Sequence, residues 1–438
     1  MSTENRARQA ALETLSRCRR GGAWSGAAMD GSTRKYGLDR RDAAFASRLC
    51  LSVLENTALC DFYIGVFCQT RLEPAVRDVL RLGVCQLLFF DRIPARAAVA
   101  ESVALCKSAG CARAAGLVNA VLRRIADARG SLPEIPGEGT PEYLSIRYSH
   151  PLWLAELLCE RKDYAFTEAF FADNNRPAPL TIQINTLKVE PEAYARALAR
   201  AEIPFEADPG LPGCLTLPDA VVQELPGYEE GLFYVQDKAA RLAVEIAAPE
   251  PGMRVFDACA SPGGKSFAAA LRMRDRGEIL ACDIHEKKLG LVSGGAERLG
   301  VSCLRTRAMD AREYDPELAD SFDLVIADAP CSGLGVIRKK PEIRMKKPKE
   351  IANLPQIQSD ILANVSRYVK KNGVLLYSTC TILEEENESV VRAFLASHPD
   401  YSPEAFSIGG ILSDNGMFTF WPNTTGTDGF FAARLRRH

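Results

Sequence analysis

Asp257-Ala-Cys-Ala-Ser-Pro-Gly-Gly-Lys-Ser266 lies between an apolar strand-like run, Arg254-Val-Phe-Asp257, and a helix-like run, Phe267-Ala-Ala-Ala-Leu271. A Gly- and Pro-rich turn at a strand-to-helix junction lets a ligand approach the backbone closely and offers it N–H groups of the first helical turn. Around and after it, 254–257, 278–283, 303–308, 322–328 and 373–379 read as strands, and 266–274, 286–299, 354–371 and 384–397 as helices. Nearly all-apolar strands alternating with helices predict a buried parallel sheet of the α/β class, whose ligands sit at the carboxyl ends of the strands. Met417 to Trp421 and Gly429 to Leu435 are expected to add an antiparallel pair at one edge.

Asp257, Asp283 and Asp328 end the first, second and fourth of these strands, and Asp310 follows the third, so all four map to one rim. A carboxylate ending the second strand can accept both hydroxyls of a ribose, whereas a single strand-end Asp more often caps its own turn. Four on one rim beside a Pro-Gly-Gly turn favour a nucleoside-containing ligand. Gly263-Gly-Lys-Ser266 looks like the end of a phosphate loop, but that motif needs glycine where Cys259 stands, and the G-x-G-x-x-G spacing is absent. S-adenosylmethionine, a nucleoside without a polyphosphate, fits better than ATP or NAD.

Two cysteines follow strands on the same rim: Cys331 in Asp328-Ala-Pro-Cys331 and Cys380 in Ser378-Thr-Cys380. Most cysteines are buried and inert, but a thiolate in a rim turn is a candidate nucleophile, and spacing does not separate these two. The chemistry closes on a pyrimidine. C5 of cytosine is too weak a nucleophile to take a methyl group until a thiolate adds at C6, and a carboxylate such as Asp328 can steady the ring. After Cys331, six basic residues, Arg338, Lys339, Lys340, Arg344, Lys346 and Lys347, fall within ten positions of one another. A charge run is usually a solvated face; directly after the cleft it is expected to hold RNA phosphates.

At 438 residues the chain should form two or three domains, and 47% apolar with 25% charged residues is ordinary for globular proteins. No run of about 18 apolar residues exists, so no membrane span is expected. Met1-Ser-Thr-Glu-Asn-Arg lacks the apolar core of a signal peptide, so the fourteen cysteines read as reduced thiols in the cytoplasm. Without a C-x-x-C pair, and with only four scattered histidines, no metal is expected. The net charge of −2 is uneven: residues 1–130 carry 20 Lys+Arg against 12 Asp+Glu, and the remainder 34 against 44. All but Lys35 and Lys107 of those first basic residues are arginines, which suit phosphate and stacked bases as well as an ordinary helical surface.

Residues 4–130 read as an all-α lobe, with helices over Arg6 to Cys18, Arg40 to Asn56 (capped by Asp39), Pro74 to Phe90, Ala97 to Ser108 and Arg113 to Ala128. Residues 131–141 form a linker by composition, and 142–247 a small α+β segment of helices near Leu152 to Glu160 and Ala165 to Ala172, a strand at Leu180 to Asn185, a helix at Pro191 to Ala201, a strand at Gly231 to Val235 and a helix from Gln236. The catalytic α/β domain then spans 248–438.

Leu117-Val-Asn-Ala-Val-Leu-Arg-Arg124 with Asp39-Arg-Arg-Asp-Ala-Ala-Phe-Ala-Ser-Arg-Leu49 resembles the NusB-like helical RNA-binding domain, although Arg123 and Arg124 also suit a helix C-terminus without any ligand. Asp257 to Ser266, Asp328-Ala-Pro-Cys-Ser-Gly333 and Tyr377-Ser-Thr-Cys380 resemble the motifs of the RNA cytosine-5 methyltransferases, and the lobe narrows this to the ribosomal RNA small subunit methyltransferase B (Sun/Fmu) family. Gln236-Asp-Lys-Ala-Ala240, Leu354 to Leu362, Glu386-Asn-Glu388 and Thr427-Asp-Gly-Phe-Phe431 add to it, so the likeness covers nearly the whole chain. It implies an all-α NusB-like domain, a small α+β middle segment and a Rossmann-like class I S-adenosylmethionine-dependent methyltransferase domain, acting as a monomer on C5 of a cytosine in 16S ribosomal RNA, position 967 in the family. It also implies Cys380 as nucleophile, Cys331 as helper in product release and Asp328 for cytosine orientation. The cofactor site implied is Cys259, Ala260, Ser261, Pro262, Gly263, Gly264, Lys265, Asp283, Asp310 and Asp328. RNA contacts are expected from Arg123, Arg124, Arg338, Lys339, Lys340 and Arg344. Four positions depart from the pattern: Ser261 for alanine, Gln183 for an arginine (weakening an RNA contact), Met345 for a tryptophan and Thr425 for a histidine. The rivals are the same chemistry on transfer RNA, against which the lobe argues, and a non-catalytic assembly factor, which needs neither thiol.

Overall fold

The computed structural model describes residues 3–218 and 220–438; Met1 and Ser2 of the opening stretch lie outside the described residues. The chain divides into two compact units, Met1–Arg176 with Ile337–Pro348, and Pro177–Val336 with Lys349–His438. Among the described residues no single helix is long and apolar enough to cross a membrane.

The first unit is helical: Thr3–Gly21, Ser25–Tyr36, Arg40–Glu55, Thr57–Phe67, Pro74–Phe89, Ala95–Ser108, Ala115–Asp127, Pro141–Arg147, Leu152–Arg161 and Tyr164–Asn174. Asp39 caps as expected, its carboxylate accepting from the Asp42 N–H at 2.8 Å. The core gathers Leu49, Val53, Leu80, Val118 and Leu122. Two helices escape periodicity. Ser25–Tyr36 buries small residues, Ala28 and Ser32, and Ser32 meets Thr14 at 3.0 Å. Thr57–Phe67 is apolar on most of its surface. Helix Pro141–Arg147 and the two helices read from sequence into the middle segment cluster with this unit: all three pack on one another, and Pro141–Arg147 packs on Thr57–Phe67.

The second unit opens with a small sheet of order β2-β3-β1-β4, formed by β1 (Leu180–Ile184), β2 (Glu206–Ala207), β3 (Cys214–Leu217) and β4 (Phe233–Val235). It is tied to the main sheet's layer of helices. The Asn185 amide donates to the Gly231 and Leu299 carbonyls, both at 2.8 Å. Gly231, at φ +67°, lies so close to the Arg298 carbonyl that a Cβ would collide with it.

The main sheet takes β5 (Arg254–Asp257), β6 (Glu278–Asp283), β7 (Leu304–Ala308), β8 (Phe322–Asp328), β9 (Val369–Thr379), β10 (Tyr401–Pro403), β13 (Met417–Phe420) and β14 (Phe430–Arg437); β11 (Phe406–Ile408) and β12 (Ile411–Ser413) form a separate hairpin. Its order is β10-β14-β9-β8-β5-β6-β7, with β13 also on β14. Strands β5 to β9 run parallel, and β8 returns to the far side of β5, so the carboxyl ends of β5 and β8 flank a switch point where ligands bind. Helix Leu354–Val365 is shorter than read: a 3-10 turn follows and β9 begins at Val369. The pair β13/β14 forms at one edge of the sheet, as expected. β14 lies between β9 on one side and β13 and β10 on the other, and Phe430 to Ala433 are buried, as an inner strand requires.

Candidate active site

Strands β8 and β9 pair in register, Asp328 opposite Ser378. The turns that follow therefore emerge side by side and bring the Cys331 and Cys380 sulfurs to 3.1 Å. The Cys380 N–H also donates to the Cys331 sulfur at 3.3 Å. Beneath them lies Glu386, almost wholly buried. Its Oε2 accepts from the Ser332 N–H at 2.8 Å and the Gln358 amide at 2.9 Å, and its Oε1 accepts from the Thr381 hydroxyl at 3.2 Å. One carboxylate thus holds the residue after each cysteine, and Gln358 extends the clamp to the Pro330 carbonyl at 3.0 Å. Tyr377 donates to the Glu386 carbonyl at 2.6 Å, and Gly335 to the Cys380 carbonyl at 3.0 Å. The hydrogen bond with Cys380, and then burial, push the Cys331 thiol well above its ordinary range.

Asp328 sits at the mouth of this pair. Its Oδ2 pairs with Lys265 at 2.7 Å and its Oδ1 accepts from the Ser378 hydroxyl at 2.8 Å. The Lys265 ammonium also lies over the Phe430 ring, 4.9 Å from its centroid. Of the four acidic residues read onto the rim, Asp257 is different: it is fully buried, with Oδ2 held by Ser266 at 2.6 Å and Oδ1 left without a partner. Burial pushes its carboxyl up to about 7. Asp283 keeps one oxygen on the His285 N–H at 2.8 Å. Asp310 is forked onto Arg312, whose nearest contact is 2.6 Å, and this holds its carboxyl below the usual range.

The methyl-donor site fits this rim. Gly263 adopts φ +112°, and a Cβ there would meet the Phe267 ring, so the loop is tight against its own helix and closed to larger residues. Not every loop amide is offered outward: the Ala260 N–H goes to the Cys282 carbonyl and the Gly263 N–H to the Ala260 carbonyl, both at 2.7 Å. Asp283 ends the strand where ribose hydroxyls are accepted, and beside it Ile284 is 55% exposed, an apolar surface suited to a purine face. Ile284, Glu386 and Phe430 were not read as site residues. The signal for Ile284 is its position, a large aliphatic side chain directly after a rim aspartate.

The expected RNA contacts divide. Arg123 and Arg124 are exposed near the end of helix Ala115–Asp127, with Arg124 also donating to the Phe67 carbonyl at 3.3 Å. Lys339 and Lys340 are exposed. Arg344 is not presented to a ligand: it is 8% exposed, and its guanidinium donates to the carbonyls of Glu55 at 2.7 Å, Tyr148 at 2.9 Å, Ser149 and Asn174 at 3.3 Å, and to Asn175 Oδ1 at 2.6 Å. Gln183, read as an altered RNA contact, is buried too, donating to the Gln236 carbonyl at 3.2 Å. Met345 packs on the helical core, and the Thr425 hydroxyl donates to the Trp421 carbonyl at 2.9 Å.

A family model described as 16S rRNA methyltransferase RsmB/F matches residues 244–436, the NusB family matches 5–127, and the RsmF/B-like ferredoxin-like domain matches 150–223. Fold and site together define a Rossmann-like methyltransferase preceded by a NusB-type helical domain. The chain is 31% identical to a probable ribosomal RNA small subunit methyltransferase B of Bacillus subtilis, over 98% of each chain. It is 33% identical to the probable counterpart of a Synechocystis strain, over 98% of this chain and 99% of that one. The chain belongs to the ribosomal RNA small subunit methyltransferase B family, whose methyl donor is S-adenosylmethionine. Among solved structures, that of PH0851 superposes with a TM-score of 0.82 at 26% identity, covering 100% of this chain and 99% of that one. A methyltransferase homolog protein from Pyrococcus horikoshii superposes with 0.59 at 25% identity, covering 67% and 98%.

Proposed function

We propose that the chain methylates C5 of a cytosine in 16S ribosomal RNA in the cytoplasm through a covalent Cys380–C6 adduct. The observation that carries this reading is the pair of thiols 3.1 Å apart beside Asp328, at the carboxyl ends of adjacent parallel strands. A binding or assembly factor has no use for that pair. Cys259 to Lys265, Asp283, Asp310 and Asp328 hold S-adenosylmethionine, which supplies an electrophilic methyl group when bound.

The residues then act in sequence. Asp328, neutralised in part by Lys265, accepts a hydrogen bond from the exocyclic amine and fixes the ring. The Cys380 thiolate adds to C6, which breaks the C5–C6 double bond and places electron density on C5. After C5 has gained its methyl group, its proton passes to solvent water, the double bond re-forms and the C6–S bond breaks, returning the electron pair to the Cys380 sulfur. Cys331, kept protonated, donates a hydrogen bond to that departing sulfur and so speeds release. Incubating the purified chain and S-adenosylmethionine with 16S ribosomal RNA and with transfer RNA, then mapping modified bases by mass spectrometry, tests the reading. New 5-methylcytosine at one 16S position is expected. Modification confined to transfer RNA, or none, would refute it.

A further inference from the structure

Trp24 stands directly before helix Ser25–Tyr36, and 49% of it is exposed. A half-exposed indole offers a broad π-face to a partner. Two ammonium groups approach this ring, Lys340 Nζ at 4.7 Å and Lys346 Nζ at 5.7 Å from its centroid. Both come from Ile337–Pro348, which belongs to the same helical unit. Beside the indole opens a cavity of about 390 Å³ walled by Met29, Cys50 and Leu51, with Lys339 and Lys340 at its rim. That volume lies in the range of sites that hold one small molecule or one nucleotide. The acid in the wall, Glu342, is already committed: its carboxylate accepts from the Ser25 N–H at 2.8 Å and the Ser25 hydroxyl at 3.0 Å.

We propose that Trp24, Lys339 and Lys340 form a nucleotide-binding subsite for single-stranded RNA, in which a base stacks on the indole and its phosphates take the lysine ammonium groups. The proposal rests on the reading of RNA as substrate. An aromatic face flanked by cations matches the alternation of base and phosphate along a strand, and every base has a π-face to offer. Lysine stems are long enough to swing from the ring to a phosphate without moving the backbone. An acidic protein would satisfy the lysines but leave the indole without a role.

The test uses the full chain, deproteinised 16S ribosomal RNA and a fluorescent decamer of polyadenylate, with methyl transfer to 16S ribosomal RNA measured alongside. Trp24→Ala should weaken decamer binding by between about fivefold and about a hundredfold, while Trp24→Phe, which keeps a stacking ring and guards against misfolding, should stay within about threefold. Lys340→Gln should lower the slope of log affinity against log salt by about 0.7. Unchanged binding in Trp24→Ala, or equal losses in the Phe and Ala variants, overturns the subsite. So does displacement of the decamer by polyglutamate that leaves Trp24→Ala and the wild-type chain alike, which points to an acidic protein instead. If the wild-type chain neither binds nor methylates 16S ribosomal RNA, the reading beneath the proposal fails with it. If it methylates normally and Trp24 makes no difference, the subsite alone fails.

Discussion

Cys331 and Cys380 are chemically the same and lie 3.1 Å apart, and the proposed reaction gives them different tasks. In the proposed reaction Cys380 is the nucleophile and Cys331 the helper in release. Cys380→Ala should therefore lower methyl transfer by about a thousandfold or more while RNA affinity changes by less than about threefold, read by tritium transfer and filter binding. Equal activity would reassign the nucleophile. Glu386 touches neither sulfur but holds both turns. A glutamine there places an amide against donors, so Glu386→Gln should lower kcat with little change in KM; a rise in KM alone would mean that it serves binding. Asp257 makes a separate, pH-dependent contribution. Its folded pKa of about 7 exceeds the roughly 3.9 of an unfolded aspartate, so the folded chain holds a proton that the unfolded chain releases between those values. Stability from this group is present below about pH 4 and is lost as pH rises to about 7. The difference in unfolding free energy, wild type minus Asp257→Asn, should fall over that window and level off above it. A flat or rising difference in denaturant titrations would mean that Asp257 is ionised in the fold.

Helix Arg40–Glu55, helix Pro141–Arg147 and helix Tyr164–Asn174 each end at a carbonyl bound by Arg344, or one residue before it. Helix C-termini carry unpaired carbonyls and partial negative charge, and one guanidinium serves all three. Arg344→Leu should cost about 3 kcal/mol or more, since several buried acceptors lose their donor at once; an unchanged urea midpoint would show that the carbonyls find other partners. In sequence, Arg344 is one of six basic residues in ten and nothing marks it as the buried one. Burial depends on which helix ends meet, a long-range fact that a local charge run does not encode. The parallel strands, by contrast, were legible because their apolar runs are local, and β5 and β8 match their expected limits. The two rim cysteines were legible as a pair because strand-end position is itself local. Their order was not, since strand-end position is the same for both and only the family resemblance assigned their roles. Helix Ser25–Tyr36 was missed because its buried face is mostly Ser and Ala, with Met29 its one large apolar residue, and the Trp24 surface was missed with it.

Over the whole chain, the excess of basic over acidic residues lies in the first 130, at 20 against 12, although the chain as a whole carries −2. RNA affinity should accordingly fall steeply with salt, and replacing Arg123 and Arg124 together with glutamine should flatten that slope by between about 1 and 2. An unchanged slope would leave both as helix-terminal charges only. Deleting residues 1–130 is a poorer probe, because Arg344 and Met345 of the 337–348 segment would lose the Glu55 carbonyl and their core packing. The reaction itself is tested most directly with the Cys331→Ala chain, 16S ribosomal RNA and S-adenosylmethionine, resolved on a denaturing gel and followed by peptide mapping of any slow band. A covalent protein–RNA species attached through Cys380 should accumulate, since the bond still forms but its release is slowed. A slow band attached elsewhere, or accumulation in Cys380→Ala instead, would contradict the assignment of the two thiols.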